Sequence, residues 1–436
     1  MVKRSYRSVE VKVIDIVRLQ SKVGIEVLSV GIDVAKEKFY AALMLPDGEV
    51  VCTVKWQHPA ETGAFVALLK ALPQGTVNVA LESTGRYGDI LVAQLRQAQI
   101  SVFGANTKRV HDAAEEYDGV PSKHDSKDAA IIADLQRRGK NNPLREQTAS
   151  ERQISALVRM FLVFKDQYER NINRIEAELA RFWPELTDHL RLQSVSLVSF
   201  LTEFGGPKDA AADPVKAKKS LHSSSRGALS SDTIDTIIAS AKTTLGVVAL
   251  REEIRMLQLL AKDTLRAMRD ADSAEKSVHA AVEQNKSAAQ QSKVLGKTTA
   301  AVIMAKSGDV AAFEAPKSWV KNLGLNLKEN SSGKPGQRGV GITKRGSPQS
   351  RQYMYMAALR LIQTDPVVAQ WYAYQTQRPG SVKMKVIVAL MRKLAKAMWH
   401  VARGETFDAS KLFNMKRFAN ITAEHQQSNV NTKRAA

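Results

Sequence analysis

The chain has 436 residues, more than one hydrophobic core usually serves, so at least two globular units are expected. Apolar residues make up 44% and charged residues 25%, ordinary values for a soluble globular protein, and no apolar run approaches the roughly 18 residues of a membrane span. The 64 Lys and Arg against 44 Asp and Glu give a net charge of +20 and point to a polyanionic partner. From Ser331 onward, 106 residues carry 18 of those basic residues and four acids, so +14 of the +20 lies in the last quarter. The basic residues there are interleaved with Gly, Ser, Gln and aromatics and form no lipid-facing helix, which favours nucleic acid over a membrane surface. The lone Cys52 excludes a disulfide framework and a cysteine-based zinc site, and suits a reducing cytoplasm. The opening MVKRSYRSVEVKVIDIVRLQSKVG lacks an apolar signal core followed by a cleavage site, so secretion is not expected.

In chain order, residues 27–54 hold three short β-rich runs, VLSVGID, FYAALML and EVVCTV, separated by AKEK and by Pro46-Asp47-Gly48. They predict an antiparallel meander. A helix over 61–72, a buried strand over 76–82, a helix over 89–98 and a strand over 100–104 follow. The order β-β-β-α-β-α-β describes a mixed α/β sheet, for which the ribonuclease H-like nuclease fold is the best-known example.

From residue 150 to about 189, Ile154, Leu157, Phe161, Phe164, Ile172, Ile175 and Leu179 share one stripe among charges and predict a long amphipathic helix. A second helical stretch over 232–285 is expected to pair with it as a coiled coil. Between them, 205–231 is rich in Gly, Pro, Ser, Ala and Lys and reads as a linker or mobile loop. After residue 295 the texture changes to short helices (298–306, 317–323), a 21-residue Gly-rich run NSSGKPGQRGVGITKRGSPQS, and helices over 351–364 and 382–403. The expected layout is an extension (1–26), an α/β domain (27–145), a helical spacer (146–292) with its loop, a mostly α-helical C-terminal domain (293–405), and a flexible basic tail (406–436).

Four acids stand out. Asp33 ends the first strand in GIDVAKEKF, and Glu82 ends the fourth in ALESTGRYG. Asp125 and Asp128, in KHDSKDAAIIADL, are three apart and share a helical face. Converging carboxylates repel unless cations neutralise them. Hard oxygen donors select Mg²⁺ or Mn²⁺, and two such ions about 4 Å apart can stabilise both oxygens of an in-line phosphoryl displacement. Taken singly, Asp33 also reads as a turn residue, Glu82 and Asp125 as helix caps, and Asp128 as a first-turn acid opposing the helix dipole.

GIDVAKEKF, ESTGRYG, ANTKRVHDAAE and KHDSKDAAIIADL resemble the successive motifs of the IS110 family transposases, whose N-terminal DEDD domain is similar to the resolvase RuvC. SWVKNLGLNLKENSSGKPGQRGVGITKRGSPQSRQYMYMAAL resembles that family's second domain, although its Gly-rich helix-hairpin-helix is kept only in part. The resemblance implies a recombinase that moves an insertion sequence, with Asp33, Glu82, Asp125 and Asp128 holding Mg²⁺ or Mn²⁺. It implies a serine nucleophile, assigned to Ser332 with Ser331 as its rival, and a bridge RNA pairing with donor and target DNA. A serine hydroxyl can conserve bond energy in a phosphoserine, and Lys334, Arg338, Lys344, Arg345 and Arg351 are candidates for holding phosphates. A homodimer or larger assembly, in a bacterial-type cytoplasm at the nucleoid, is expected. Two rivals stand beside this reading: a RuvC-type endonuclease that hydrolyses junctions without a covalent intermediate, and a non-catalytic nucleic-acid-binding regulator. The run Gly296-Lys297-Thr298 lacks the first glycine of a P-loop, and Trp371, Tyr372 and Tyr374 read as core aromatics before base-stacking ones.

Overall fold

A computed structural model describes residues 7–73, 75–82, 85–119, 124–328 and 341–414. By their contacts the residues divide into two units, Met1–Glu146 and Gln147–Ala436.

The first unit holds seven strands, β1 (Val9–Glu10), β2 (Leu28–Asp33), β3 (Lys38–Met44), β4 (Val50–Gln57), β5 (Val77–Glu82), β6 (Ser101–Ala105) and β7 (Asn142–Pro143), in the order β1-β4-β3-β2-β5-β6-β7. Pairing is antiparallel from β4 through β3 to β2 and parallel from β2 through β5 to β6. That is the ribonuclease H-like arrangement. The meander follows from β-branched and aromatic runs joined by a tight turn at Gly48, whose φ of +96° lies in the left-handed region that glycine tolerates. The parallel pairs need crossovers, and helices supply them.

Helices α1 (Ile16–Val23), α2 (Thr62–Lys70) and α3 (Asp89–Gln97) cover one face of the sheet, where Val30, Ile32, Val79 and Leu81 are buried with Phe65, Leu69, Leu91 and Leu95. Helices α4 (Thr107–Asp118) and α5 (Asp125–Arg137) cover the other, against Ala42, Met44, Ala80 and Ala105. Strand alternation therefore turns Gly31 and Ala80, and with them Asp33 and Glu82, toward the face that carries α5. Residues before 27 were expected to stand outside this domain. They instead add β1 to the sheet edge and bury Val11, Leu19 and Val23 in its core.

The second unit is built on α6 (Ala149–Phe182). Thr148 and Glu151 form a capping box at its start, with Thr148 Oγ1 accepting from Glu151 N at 3.2 Å and Glu151 Oε2 from Thr148 N at 2.7 Å. Pro184 ends this helix earlier than the stripe predicts, and α7 (Leu186–His189), α8 (Val195–Glu203), α9 (Pro207–Ala212), α10 (Pro214–Ser224) and α11 (Ser231–Thr243) follow. Then α12 (Arg251–Gln284) returns antiparallel along α6: Arg181 pairs with Glu253 at 3.2 Å at one end, and Asn285 Nδ2 donates to Ser150 Oγ at 3.1 Å at the other. The expected helix pair is thus present, with an alanine-lined seam on α12 (Ala261, Ala267, Ala271, Ala274) that lets the axes approach. The expected loop over 205–231 is not a loop. Pro207 and Pro214 open helices at positions where the missing N–H costs nothing, and Ala210, Ala217 and Leu221 pack in a core with Trp183, Phe200 and Ile237.

Beyond it lie α13 (Lys286–Leu295), α14 (Lys297–Ser307), α15 (Pro316–Asn322), α16 (Pro348–Thr364), α17 (Pro366–Gln377) and α18 (Lys383–Ala402). Their shared core contains Trp319, Leu323, Met354, Ala358, Leu390 and Leu394. Trp371 belongs to it, stacked on Phe413 at 4.7 Å, so packing accounts for that aromatic. The first part of the expected flexible tail is folded too: Ala409, Leu412 and Phe413 are buried against this core, while residues 415–436 lie outside the described residues. Among the described residues no helix is long and apolar enough to cross a membrane.

Candidate functional site

The placement of the four acids starts from strand register. Pairing of Gly31 with Ala80 and of Ile32 with Leu81 sets Asp33 and Glu82 next, at the C-terminal ends of adjacent parallel strands. Both are half-buried and on the α5 face.

Helix α5 is drawn onto β2 at one point. A Cβ on Gly31 would stand 2.1 Å from Ala133 N and 2.2 Å from Ala129 O, so only glycine admits the helix at this distance. The matching surface of α5 is small, with Ala129, Ala130 and Ala133 all buried. The direction of the helix is fixed by its other end. Arg137 Nη1 donates to Pro46 O at 3.3 Å, and Pro46 follows Met44, the partner of Ser29 near the start of β2. Helix α5 therefore runs against β2, and its N-terminus lies toward Asp33. One turn back from Ala129 is about 6 Å of helix, and two residues on from Gly31 is about 7 Å of strand. Asp125 and Asp128 thus stand at the same end of the sheet as Asp33 and Glu82.

Three segments bring the four acids to one end, with Asp125 exposed and Asp128 half-buried. Their side chains are not gathered into a ready-made ligand set: among the described residues no three His, Cys, Asp or Glu side chains are close enough together to hold a metal ion. As donors the four carboxylates are all oxygen, the chemistry that suits Mg²⁺ or Mn²⁺. His124 occupies the N-cap position of α5 and is exposed.

The second candidate centre is described at its edges. Ser331, Ser332, Lys334 and Arg338 lie outside the described residues. The chain on either side of them is paired: Leu327 and Ile342 form an antiparallel bridge, Lys328 N donates to Gly341 O at 2.8 Å, and Thr343 N donates to Asn326 O at 2.8 Å. Lys344 N donates to Gly324 O at 2.9 Å, and Lys344 itself has φ +55°, a left-handed conformation that is unfavourable for a side-chain-bearing residue. Lys344 and Arg345 are exposed. Arg351 has a different setting from the one expected of a phosphate-holding residue. Its Nη1 donates to Leu323 O at 3.2 Å and Gly346 O at 2.9 Å, tying both limbs of this ribbon to the start of α16, and burial holds its pKa below the usual arginine value.

Gly324, with φ +70°, closes the turn. A Cβ there would stand 2.7 Å from Arg345 N. Gly324→Ala should cost about 2 kcal/mol or more, from left-handed backbone and the clash together, read as a lower midpoint in chemical denaturation. An unchanged midpoint would mean the ribbon is not held as described. Sequence reasoning passed over both Gly31 and Gly324. The available signals were a lone glycine inside an apolar strand and a glycine directly after a short helix.

Two family models match this chain, in order. One, for a DEDD transposase of the IS110 type, covers residues 30–184, and one for the IS116/IS110/IS902 transposase family covers residues 287–373. No curated protein gives a significant match. The first model takes in all four acids, and the second spans the paired ribbon with Ser331 and Ser332. With both models met on one chain in the order expected of such an enzyme, the protein belongs to the IS110 family of transposases.

Proposed function

We propose that this transposase cuts and rejoins DNA strands of an insertion sequence, with Asp33, Glu82, Asp125 and Asp128 holding divalent cations and Ser332 acting as nucleophile. The observation that supports the metal half is the shared end of β2, β5 and α5, to which three segments bring four acidic residues. Mg²⁺ or Mn²⁺ bound there would supply charge stabilisation for the attacked phosphate and the oxygens that enter and leave it. The chain's own part is to hold the carboxylates in place: register fixes Asp33 beside Glu82, and the Gly31 contact fixes how far α5 carries Asp125 and Asp128 from them.

In the proposed covalent step the Ser332 Oγ–phosphorus bond forms as the phosphorus–oxygen bond to one sugar breaks. The serine proton leaves and the freed sugar oxygen gains one. Attack by another strand's hydroxyl reverses the exchange, so the number of phosphate ester bonds is unchanged and no ATP is consumed. Exposed Lys344 and Arg345 beside this segment support phosphate binding. The excess of positive charge supports a double load of DNA and a bridge RNA, with base pairing choosing the site and the protein supplying sequence-independent affinity. The long α6–α12 pair supports assembly as a homodimer or larger homo-oligomer.

The test is metal removal. Full-length protein, purified with RNA transcribed from its own element, should cleave DNA carrying the element's ends, stop on addition of EDTA, and resume when Mg²⁺ or Mn²⁺ is restored. Cleavage that continues undiminished in EDTA would overturn the role given to the four acids.

A further inference from the structure

The last half of α18 and the segment after it line an open cavity of about 310 Å³. Lys393, Lys396 and His400 line it from one face of the helix, and Glu405, Asp408 and Lys411 line it from the other side. The acids have local work. Glu405 Oε1 lies 2.7 Å from His400 Nδ1, and Asp408 Oδ1 accepts from Ser410 N at 2.9 Å and Ser410 Oγ at 2.7 Å, capping the turn over 409–412.

The hydrogen bonds from Ser410, and after them the charge of Lys411, hold the Asp408 carboxyl below its usual pKa. Among the described residues Lys393, Lys396 and Lys411 make no ion pair. Lys393 is half-buried, donating through Nζ to Leu412 O at 2.7 Å and lying over the Phe413 ring at 5.5 Å. Burial, and then the positive charge of Lys396, press its pKa below the ordinary lysine value. Lys393, Lys396, Lys411 and His400 thus share one concavity with only two carboxylates, Glu405 and Asp408, which His400 and Ser410 engage, and an anion entering it would offset the excess of positive charge. The volume is at the small end for ligand pockets, enough for a phosphate with part of its sugar.

We propose that this cavity is a phosphate-binding subsite that holds a backbone phosphate of a nucleic-acid strand. The inference rests on the nucleic-acid reading of the basic C-terminal quarter. It adds a contact formed by the fold of residues 393–412, distinct from the ribbon at 323–346. Lysine suits the role, being a compact point charge with rotatable donors that follows a phosphate without fixing base identity.

The experiment compares wild type with the double variant Lys396→Gln/Lys411→Gln. Both side chains are exposed, so the fold should be kept, as a melting curve checks. Binding of a labelled DNA duplex and of a labelled RNA is followed by fluorescence anisotropy across a salt series. The proposal expects affinity about 3- to 10-fold weaker for at least one of them, and a plot of log affinity against log salt whose slope is shallower by about 1. Lys396→Arg/Lys411→Arg should restore both. The double variant Lys317→Gln/Lys321→Gln removes the same charge from α15, where both residues are exposed, and should have a smaller effect. Equal losses in the two Gln variants would overturn the proposal, since only net charge would then matter. Binding of inorganic phosphate or a mononucleotide that the Lys396→Gln/Lys411→Gln variant loses, with strand binding intact, would also overturn it in favour of a free phosphate ligand. If wild type binds neither nucleic acid, the broader reading fails together with the subsite, whereas an unaltered variant beside a binding wild type rejects the subsite alone.

Discussion

Asp33→Asn should lower metal-dependent DNA cleavage by about 10²- to 10³-fold, the scale on which removal of a preorganised charge-stabilising group acts. The substitution keeps size and shape and removes the charge that a hard cation needs. Folding should not suffer. Asp33 stands at the strand end beside Glu82, and the α5 N-terminus brings Asp125 and Asp128 to the same end, so the isosteric change falls at the edge of the sheet and leaves the core packing untouched. The expected pair of results is a cooperative melting transition that shows a folded protein, with cleavage lost. Cleavage at the wild-type rate would remove Asp33 from the chemistry, and with it the reason to group the four acids.

Gly31→Val should do the opposite to stability. The added Cβ meets backbone atoms of Ala133 and Ala129 at 2.1 and 2.2 Å, and backbone cannot turn aside as a side-chain tip can. Either β2 or α5 must move. Overpacking of a well-fitted core costs about 1–3 kcal/mol, and a forced separation of helix from sheet lies at or beyond the upper end. Cleavage should fall as well, because Asp125 and Asp128 travel with α5. Gly63→Ala provides the contrast: that glycine is exposed in the first turn of α2, with nothing within 4 Å of its would-be Cβ. The change there should be neutral or stabilising by up to about 1 kcal/mol. Thermal unfolding of the two variants side by side checks the expectation, and similar melting points would contradict the close contact.

How much of this was written legibly in the sequence differs from element to element. The strands β2 to β6 could be read because alternation and β-branched runs decide a half-buried strand locally, and the turn at Gly48 is marked by its own residues. The strand β1 could not be read. It is two residues long, and its place beside β4 is a tertiary fact. Composition misled at 205–231, where Gly205 and Gly206 are packed against Ile254 and the two prolines begin helices rather than prevent them. In the candidate site, the acids could be singled out by residue type and spacing. Their common end could not, because it depends on the direction of α5, which Arg137 and Pro46 settle across 91 positions of sequence. Arg351 shows the same limit. An arginine in a basic Gly-rich run reads as a phosphate ligand, and only the fold reveals that its Nη1 is bound to two carbonyls. The lysine cavity left no sequence signal, since Lys393, Lys396 and Lys411 meet only when residues 405–412 fold back on α18.

Capture of the covalent species tests the central claim most directly. Wild-type protein incubated with its RNA, Mg²⁺ and DNA carrying the element's ends is stopped with denaturant, and any protein–DNA adduct is digested and mapped by mass spectrometry. The account predicts a denaturant-stable adduct on Ser332, absent from Ser332→Ala, retained in Ser331→Ala, and absent when Asp33 is replaced by Asn. Strand cleavage at the wild-type rate by Ser332→Ala, with free DNA ends and no adduct in either protein, would contradict it and leave a metal-dependent hydrolase of the resolvase type.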